Sequence, residues 1–188
     1  VNSYLEGNSR LLFDFNSISG VTVNDLSNYG SNGELFAGLS CGVSGVDETG
    51  CSFDGVDDFV NISNSGSLNV SEEVAVSVWV KDFAAGGRKA IVSSNWPSTD
   101  GGLYLGVDGS GVHWNLSCSG NRYGVYFNNS FSSGAWYNVV SMYSLKSNTS
   151  KVYVNGVLIG EQEIPASCFG LDTEREFFIG SVGGSSDF

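Results

Sequence analysis

The eight residues Val74–Lys81, VAVSVWVK, constrain this chain more than any other stretch. Val74, Val76, Val78 and Val80 recur every second position. A strand places all four on one face, whereas a helix would scatter them around its axis. One face is then too apolar to meet water and has to be covered by a second layer. The same alternation recurs along the chain. Arg10–Phe15 is predicted as a first strand, with Leu11, Phe13 and Phe15 on one side. Residues 24–34 are nearly all turn formers and read as a long loop. Gly50–Phe53 and Phe59–Ser63 read as strands joined by an Asp54-Gly55 hairpin. Further strands are predicted at Lys89–Ser94, Gly102–Val107, Val112–Cys118, Tyr123–Phe127, Trp136–Tyr143 and Phe177–Ser181, with Asp108-Gly109 as a turn. In Lys151–Ile159 an Asn155-Gly156 turn demands two positive φ angles, which is the strongest hairpin cue present.

No stretch keeps a helical period over ten residues, and no repeat or composition break divides residues 1–188, which are read as one domain. The 26 glycines supply the turns that many short strands need. Some ten to twelve strands at even spacing predict an all-β fold, a two-sheet antiparallel β-sandwich or jelly roll.

Charge and cysteines narrow the setting. A net charge of −12 repels a phosphate backbone, so nucleic acid is not an expected partner. No apolar run reaches the length of a membrane span. The chain opens at Val1 without a basic region before an apolar one, so the expectation is that any signal peptide has been removed. The four cysteines, Cys41, Cys51, Cys118 and Cys168, form no CxxC pair, and a lone His113 cannot complete a zinc set. Two disulfides are expected instead, in an extracellular or cell-surface location. A short Gly-rich loop favours Cys41–Cys51, leaving Cys118–Cys168; four buried thiols in a reducing compartment are the alternative. Sequons at Asn61, Asn69, Asn115, Asn128 and Asn148 are compatible with a secreted glycoprotein, though Asn and Ser are common enough here to generate several by chance.

In order along the chain, LLFDFN, VNDLSNYGSNGEL, CSFDGVDDFVNI, SLNVSEEVAVSVWVK, GAWYNVVSMY, KVYVNGVLIG and FFIGSVGG together resemble the laminin-G-like (LamG) jelly rolls of the concanavalin A-like lectin/glucanase superfamily. The resemblance implies a curved two-sheet sandwich, an extracellular setting, a binding role and often a structural calcium ion. Members usually close with an Ile-Asp-x-Val-Arg strand beside the first strand; this sequence stops at Asp187-Phe188 before one. The expectation is an open sheet edge near Leu11–Phe15, filled in trans by a neighbouring segment.

The candidate sites follow. Asp54, Asp57 and Asp58 crowd one corner and repel each other unless compensated. With Asp25 and Asn28 of the loop they are the candidate ligands of a calcium ion, which accepts six to eight oxygens in irregular geometry. A solvated corner with carboxylates bonded to backbone N–H groups is the alternative. Sugar rings stack on exposed aromatics, which makes Trp96, in a polar loop, and Tyr104, Trp114, Tyr123 and Tyr126, on strands, the candidate ligand-binding residues. Core packing is the competing reading for the strand aromatics, and Trp79 and Trp136 are read as scaffold. Alternate carboxylates at Asp172, Glu174 and Glu176 are the one spacing comparable to a glucanase cleft, but they sit in a connection and lack that branch's residue order. No serine elbow or phosphate-binding glycine pattern occurs. The chain is therefore expected to be a non-enzymatic, lectin-like recognition or cell-adhesion module binding glycan or a surface protein. A structural subunit of a surface layer or filament built by strand exchange is the second reading. An ancillary domain of a glycoside hydrolase is the third.

Overall fold

Alternation becomes fifteen strands in the computed structural model, which describes residues 9–63, 66–68, 72–82, 87–94, 101–118, 120–128, 130–165 and 175–183. No helix occurs among them. In chain order the strands are β1 (Ile18–Ser19), β2 (Thr22–Val23), β3 (Gly33–Phe36), β4 (Ser40–Ser44), β5 (Thr49–Ser52), β6 (Phe59–Ile62), β7 (Glu73–Lys81) and β8 (Lys89–Ser94). They continue with β9 (Gly102–Asp108), β10 (Gly111–Cys118), β11 (Asn121–Asn128), β12 (Trp136–Ser144), β13 (Thr149–Val154), β14 (Val157–Glu163) and β15 (Phe177–Ile179). A nine-stranded sheet has the order β1-β2-β3-β6-β15-β8-β9-β10-β11, a four-stranded sheet the order β14-β13-β12-β7, and β4 and β5 form a separate ribbon. The pairings are antiparallel, as an all-β sandwich requires.

Two apolar clusters hold the layers. The larger lies between the sheets: Leu103, Leu105 and Val107 of β9, with Val112, Trp114 and Leu116 of β10, meet Val139, Tyr143, Val152 and Val154 from the small sheet. The four valines of β7 point into it as the alternation requires. The second cluster gathers Val23, Leu39, Val60, Ile62, Leu68 and Phe177 under the β1–β6 end of the large sheet. Val92 of β8 packs against both.

Three local expectations change. Residues 10–15 form no strand. Leu11, Phe13 and Phe15 do pack on the second cluster, but Phe15 has φ 58° and the Leu12 N–H donates to Asp25 Oδ1 at 2.9 Å. The segment is thus held by loop contacts rather than a ladder, and the expected edge near Leu11–Phe15 is absent. Asp54-Gly55 is a corner between sheets, not a hairpin. β5 pairs with β4, tied by the Cys41–Cys51 disulfide, whereas β6 pairs with β3 and β15. Part of the 24–34 loop is strand, because Gly33 fits under Val60 and Val23, where a side chain would clash. Asn155 (φ 50°) and Gly156 (φ 78°) make the tight turn that their dipeptide announces.

Candidate ligand-binding site

The outer face of the large sheet is built by parity. Along β9, β10 and β11 the residues Leu103, Leu105, Val107, Val112, Trp114, Leu116, Tyr123, Val125 and Phe127 pack in or on the core. Their alternates therefore share the opposite face: Tyr104, Gly106, Asp108, His113, Asn115, Gly124 and Tyr126. The registers His113↔Tyr126, His113↔Gly106 and Asn115↔Gly124 set these residues side by side.

Glycines shape the surface. The Tyr104 ring lies over Gly106, the Tyr126 ring over Gly111 and the Asn115 amide over Gly124; a Cβ at any of the three would collide with it. Side chains that would otherwise stand upright lie flat, and a hollow of about 330 Å³ opens between Arg88, His113, Asn115, Gly124, Val125 and Tyr126.

A polar chain fixes the hollow's wall. His113 Nε2 lies 2.7 Å from Asp108 Oδ2, and the Ser110 N–H and Oγ–H donate to Asp108 Oδ1 at 2.8 and 2.9 Å. The Tyr126 hydroxyl donates to Ser110 Oγ at 2.8 Å, and its ring centroid stands 4.5 Å from that of His113. Burial opposes charge on Asp108, but the bonds from His113 and Ser110 outweigh it and hold its pKa at about 2. Burial pushes His113 below its usual value against the pull of Asp108, and the charge of Arg88 adds to the depression. The neutral imidazole therefore carries its proton on Nε2, donates it to Asp108 and keeps Nδ1 as an acceptor. Tyr126 is 42% exposed yet held at its hydroxyl, a fixed aromatic plate beside Arg88 donors and the Asn115 amide.

The other expected ligand residues are placed differently. Trp114 is 1% exposed in the core, and Tyr123 packs against the same cluster, so neither faces a ligand on this surface. Tyr104 is on the right face but buried, and burial raises its pKa to about 12 against the pull of Arg88. Trp96 lies outside the described residues. Arg88, Asp108 and His113 were not among the sequence candidates. The Asp-Gly turn could have revealed the pair, since it sets Asp108 opposite Gly111 and leaves His113 on the same face.

At the acidic corner, carboxylate oxygens of Asp54, Asp57 and Asp58 lie within 4.8 Å of one another. Asp54 Oδ1 accepts from the Val56 N–H at 2.7 Å, and buried Asp58 accepts from the Asp54 N–H at 2.9 Å. Asp54 and Asp57 are exposed and Asp58 is buried, and Lys89 Nζ approaches the same corner at Gly55. Asp25 is not part of that acidic group. Its two oxygens accept from the backbone N–H groups of Leu12, Ser27 and Ser31 and from Ser27 Oγ, which organises the loop, and Asn28 is exposed nearby in sequence. Cys118, like Cys41 and Cys51, is disulfide-bonded, and Cys168 lies outside the described residues. Among the sequons, Asn128 and Asn148 are exposed, Asn61 donates to Glu176 Oε1 at 3.3 Å, Asn115 lines the hollow, and Asn69 lies outside the described residues. Asp172 and Glu174 do too, while Glu176 is exposed. Trp79, read as scaffold, is 50% exposed on the outer face of the small sheet.

Residues 54–188 match the family described as the concanavalin A-like lectin/glucanases superfamily. No curated protein matches the chain in sequence. Among solved structures, the binding domain of botulinum neurotoxin serotype G is similar at TM-score 0.74 and 13% identity, covering 94% of this chain and 44% of that one. The serotype D ligand-binding domain in complex with N-acetylneuraminic acid is similar at TM-score 0.63 and 18% identity, covering 89% of this chain and 43% of the other. The CBM40 of the Ruminococcus gnavus IT-sialidase, bound to α2,3-sialyllactose, is similar at TM-score 0.52 and 15% identity, covering 60% and 65%. The chain thus spans less than half of the toxin domains it matches, and at these identities the likeness is one of fold.

Proposed function

The chain belongs to the concanavalin A-like lectin/glucanase superfamily, and from that premise we propose that it is an extracellular, non-catalytic module that binds glycan on the outer face of its large sheet. The observation that carries this reading is Tyr126, half-exposed and pinned at its hydroxyl beside the hollow. A plate already fixed loses little side-chain entropy when a sugar ring stacks on it. Asn115 and His113 Nδ1 supply a mixed set of donors and acceptors for hydroxyls, and Arg88 supplies a formal positive charge at the hollow. A ligand carrying a carboxylate suits that charge, and two of the structurally similar domains were solved with sialic-acid ligands. The disulfides favour an oxidising compartment. Asp54, Asp57 and Asp58 would hold a structural calcium ion, which would cancel their mutual repulsion and stiffen the corner.

A glycan array with neutral and sialylated structures, followed by titration calorimetry, tests the reading. Tyr126→Ala is expected to weaken binding up to about tenfold, since an aromatic contact contributes about 0.5–1.5 kcal/mol beyond its buried area. Arg88→Ala is expected to weaken only the acidic ligands, and the glycan is expected to be recovered uncleaved. No binding to any glycan, or binding indifferent to both substitutions, would overturn it.

A further inference from the structure

We propose that His113 sets the ligand class of the hollow: once both its ring nitrogens carry a proton, it joins Arg88 in selecting a sugar that bears a carboxylate over the same sugar without that charge, and the selection sharpens as pH falls. This deepens the ligand-binding reading and rests on it.

The imidazole is held so that protonation changes one atom. Its Nε2 is taken by Asp108 Oδ2 at 2.7 Å, and its ring lies against that of Tyr126, with centroids 4.5 Å apart. Orientation and tautomer are thereby fixed, and Nδ1 is the nitrogen that turns from acceptor to donor. His113 is buried in the sheet surface yet lines the hollow. Its carboxylate partner is already saturated: Asp108 accepts from His113 on one oxygen and from the Ser110 N–H and hydroxyl on the other.

The charges around the ring come from each neighbouring element. The end of β9 brings Asp108, and the segment before β8 brings Arg88. β9 and β11 add the uncharged phenols of Tyr104, whose ring lies over Gly106 opposite His113, and of Tyr126. Arg122 of β11 shares the face but stands two paired rows away, opposite Ser117, and the Lys89 ammonium is directed to Gly55 instead.

With His113 neutral, Arg88 and Asp108 cancel and the wall of the hollow carries no net charge. With the imidazolium formed, two cations face one carboxylate that is fully bonded. An anion in the hollow relieves that excess, and a neutral sugar does not. Burial and the Arg88 charge hold the free imidazole neutral against the pull of Asp108, so the empty site resists the proton that an acidic ligand would draw in. Binding and protonation then reinforce each other by linkage. The net charge of −12 repels any anion at a distance, but salt screens that repulsion beyond about 8 Å, and the groups lining the hollow decide at contact.

The chain holds a single histidine, so its imidazole proton signals report His113 alone. NMR follows them from about pH 7.5 to about 5.5, across the ordinary imidazole range, without ligand, with N-acetylneuraminic acid and with its methyl ester. Titration calorimetry measures both affinities over the same range. The acid is expected to move the His113 titration to higher pH and to bind about tenfold more tightly at the acid end, the lower limit for a hydrogen bond to a charged group. The ester, which has the same ring and no charge, is expected to show no such rise. His113→Gln is expected to lose the rise for the acid, with circular dichroism checking its fold; the comparison of acid with ester in the native chain decides the matter even where that variant does not fold. A rise that survives in His113→Gln, an acid that leaves the His113 titration unmoved, or an ester with the same pH dependence would each overturn the proposal. Glycan binding without these effects removes this proposal and leaves the ligand reading standing. Binding of neither probe at any pH removes it as well, and the array then decides the ligand reading separately.

Discussion

His113 is worth most to the fold when it is neutral. Its folded pKa lies below the ordinary imidazole value, so the unfolded chain takes up the proton first as pH falls. Stability is therefore complete above about pH 6.5 and declines as acid drives the system through the window below that value. Asp108 acts lower down: with a folded pKa of about 2 against an ordinary 3.8, its contribution is present above pH 3.8 and is lost as pH falls toward the folded value. Calorimetric melting from pH 7 to 5 is expected to show a falling Tm in the native protein and a flatter profile in His113→Gln. An unchanged slope in that variant would mean that the titration lies elsewhere. The acidic corner carries a second residue-scale expectation. Three carboxylates within 4.8 Å repel, and a divalent ion would relieve them. Calcium is expected to raise Tm, with Asp57→Asn lowering the affinity; magnesium, which keeps its waters and demands octahedral geometry, is expected to do less. A Tm indifferent to calcium would assign the corner to backbone capping alone.

Strands β13 and β14 show what a single turn decides. Asn155 and Gly156 both have positive φ, and Gly156→Ala puts a Cβ into a conformation that costs roughly 1 kcal/mol for an L residue. Gly160, four residues on, lies under the Phe127 ring, so Gly160→Val has to displace that ring at the seam between the sheets and is expected to cost about 1–3 kcal/mol. Urea titration of the two variants checks both. These elements were legible because the information is local: an alternating run, a two-residue turn, an alternating run. The same holds from β7 to β12, where expected and observed limits differ by a residue or two. It fails from β1 to β4, whose strands are two to five residues long and are placed by distant partners, such as Asp25 reaching Leu12 and Cys41 reaching Cys51. The proposed ligand face was half legible. Tyr123 and Tyr126 are three apart and cannot share a strand face, and Trp114 has the parity of core Val112, so both exclusions were available from spacing. The hollow was not, because it depends on which glycine of one strand lies beneath which side chain of the next.

Taken as a whole, the molecule is one wide sheet lying over two separate cores. The main cluster joins β9–β11 to the four-stranded sheet, the second lies beneath β2, β3 and β6, and Val92 touches both. The Cys41–Cys51 disulfide packs against the second cluster alone. Its loss therefore acts on one end of the large sheet. Closing a loop of ten residues stabilises by about 2.7 kcal/mol in the chain-entropy treatment. A Cys41→Ala/Cys51→Ala variant is expected to lose about that much in denaturant, with hydrogen exchange speeding up in β3 and β6 while β9, β10 and β12 keep their protection. Binding on the Tyr126 face is expected to survive, because that face rests on the other core. Uniform acceleration across both sheets would mean instead that Val92 and the strands around it couple the two cores into a single cooperative unit, and the disulfide would then brace the binding face from the far end of the sheet.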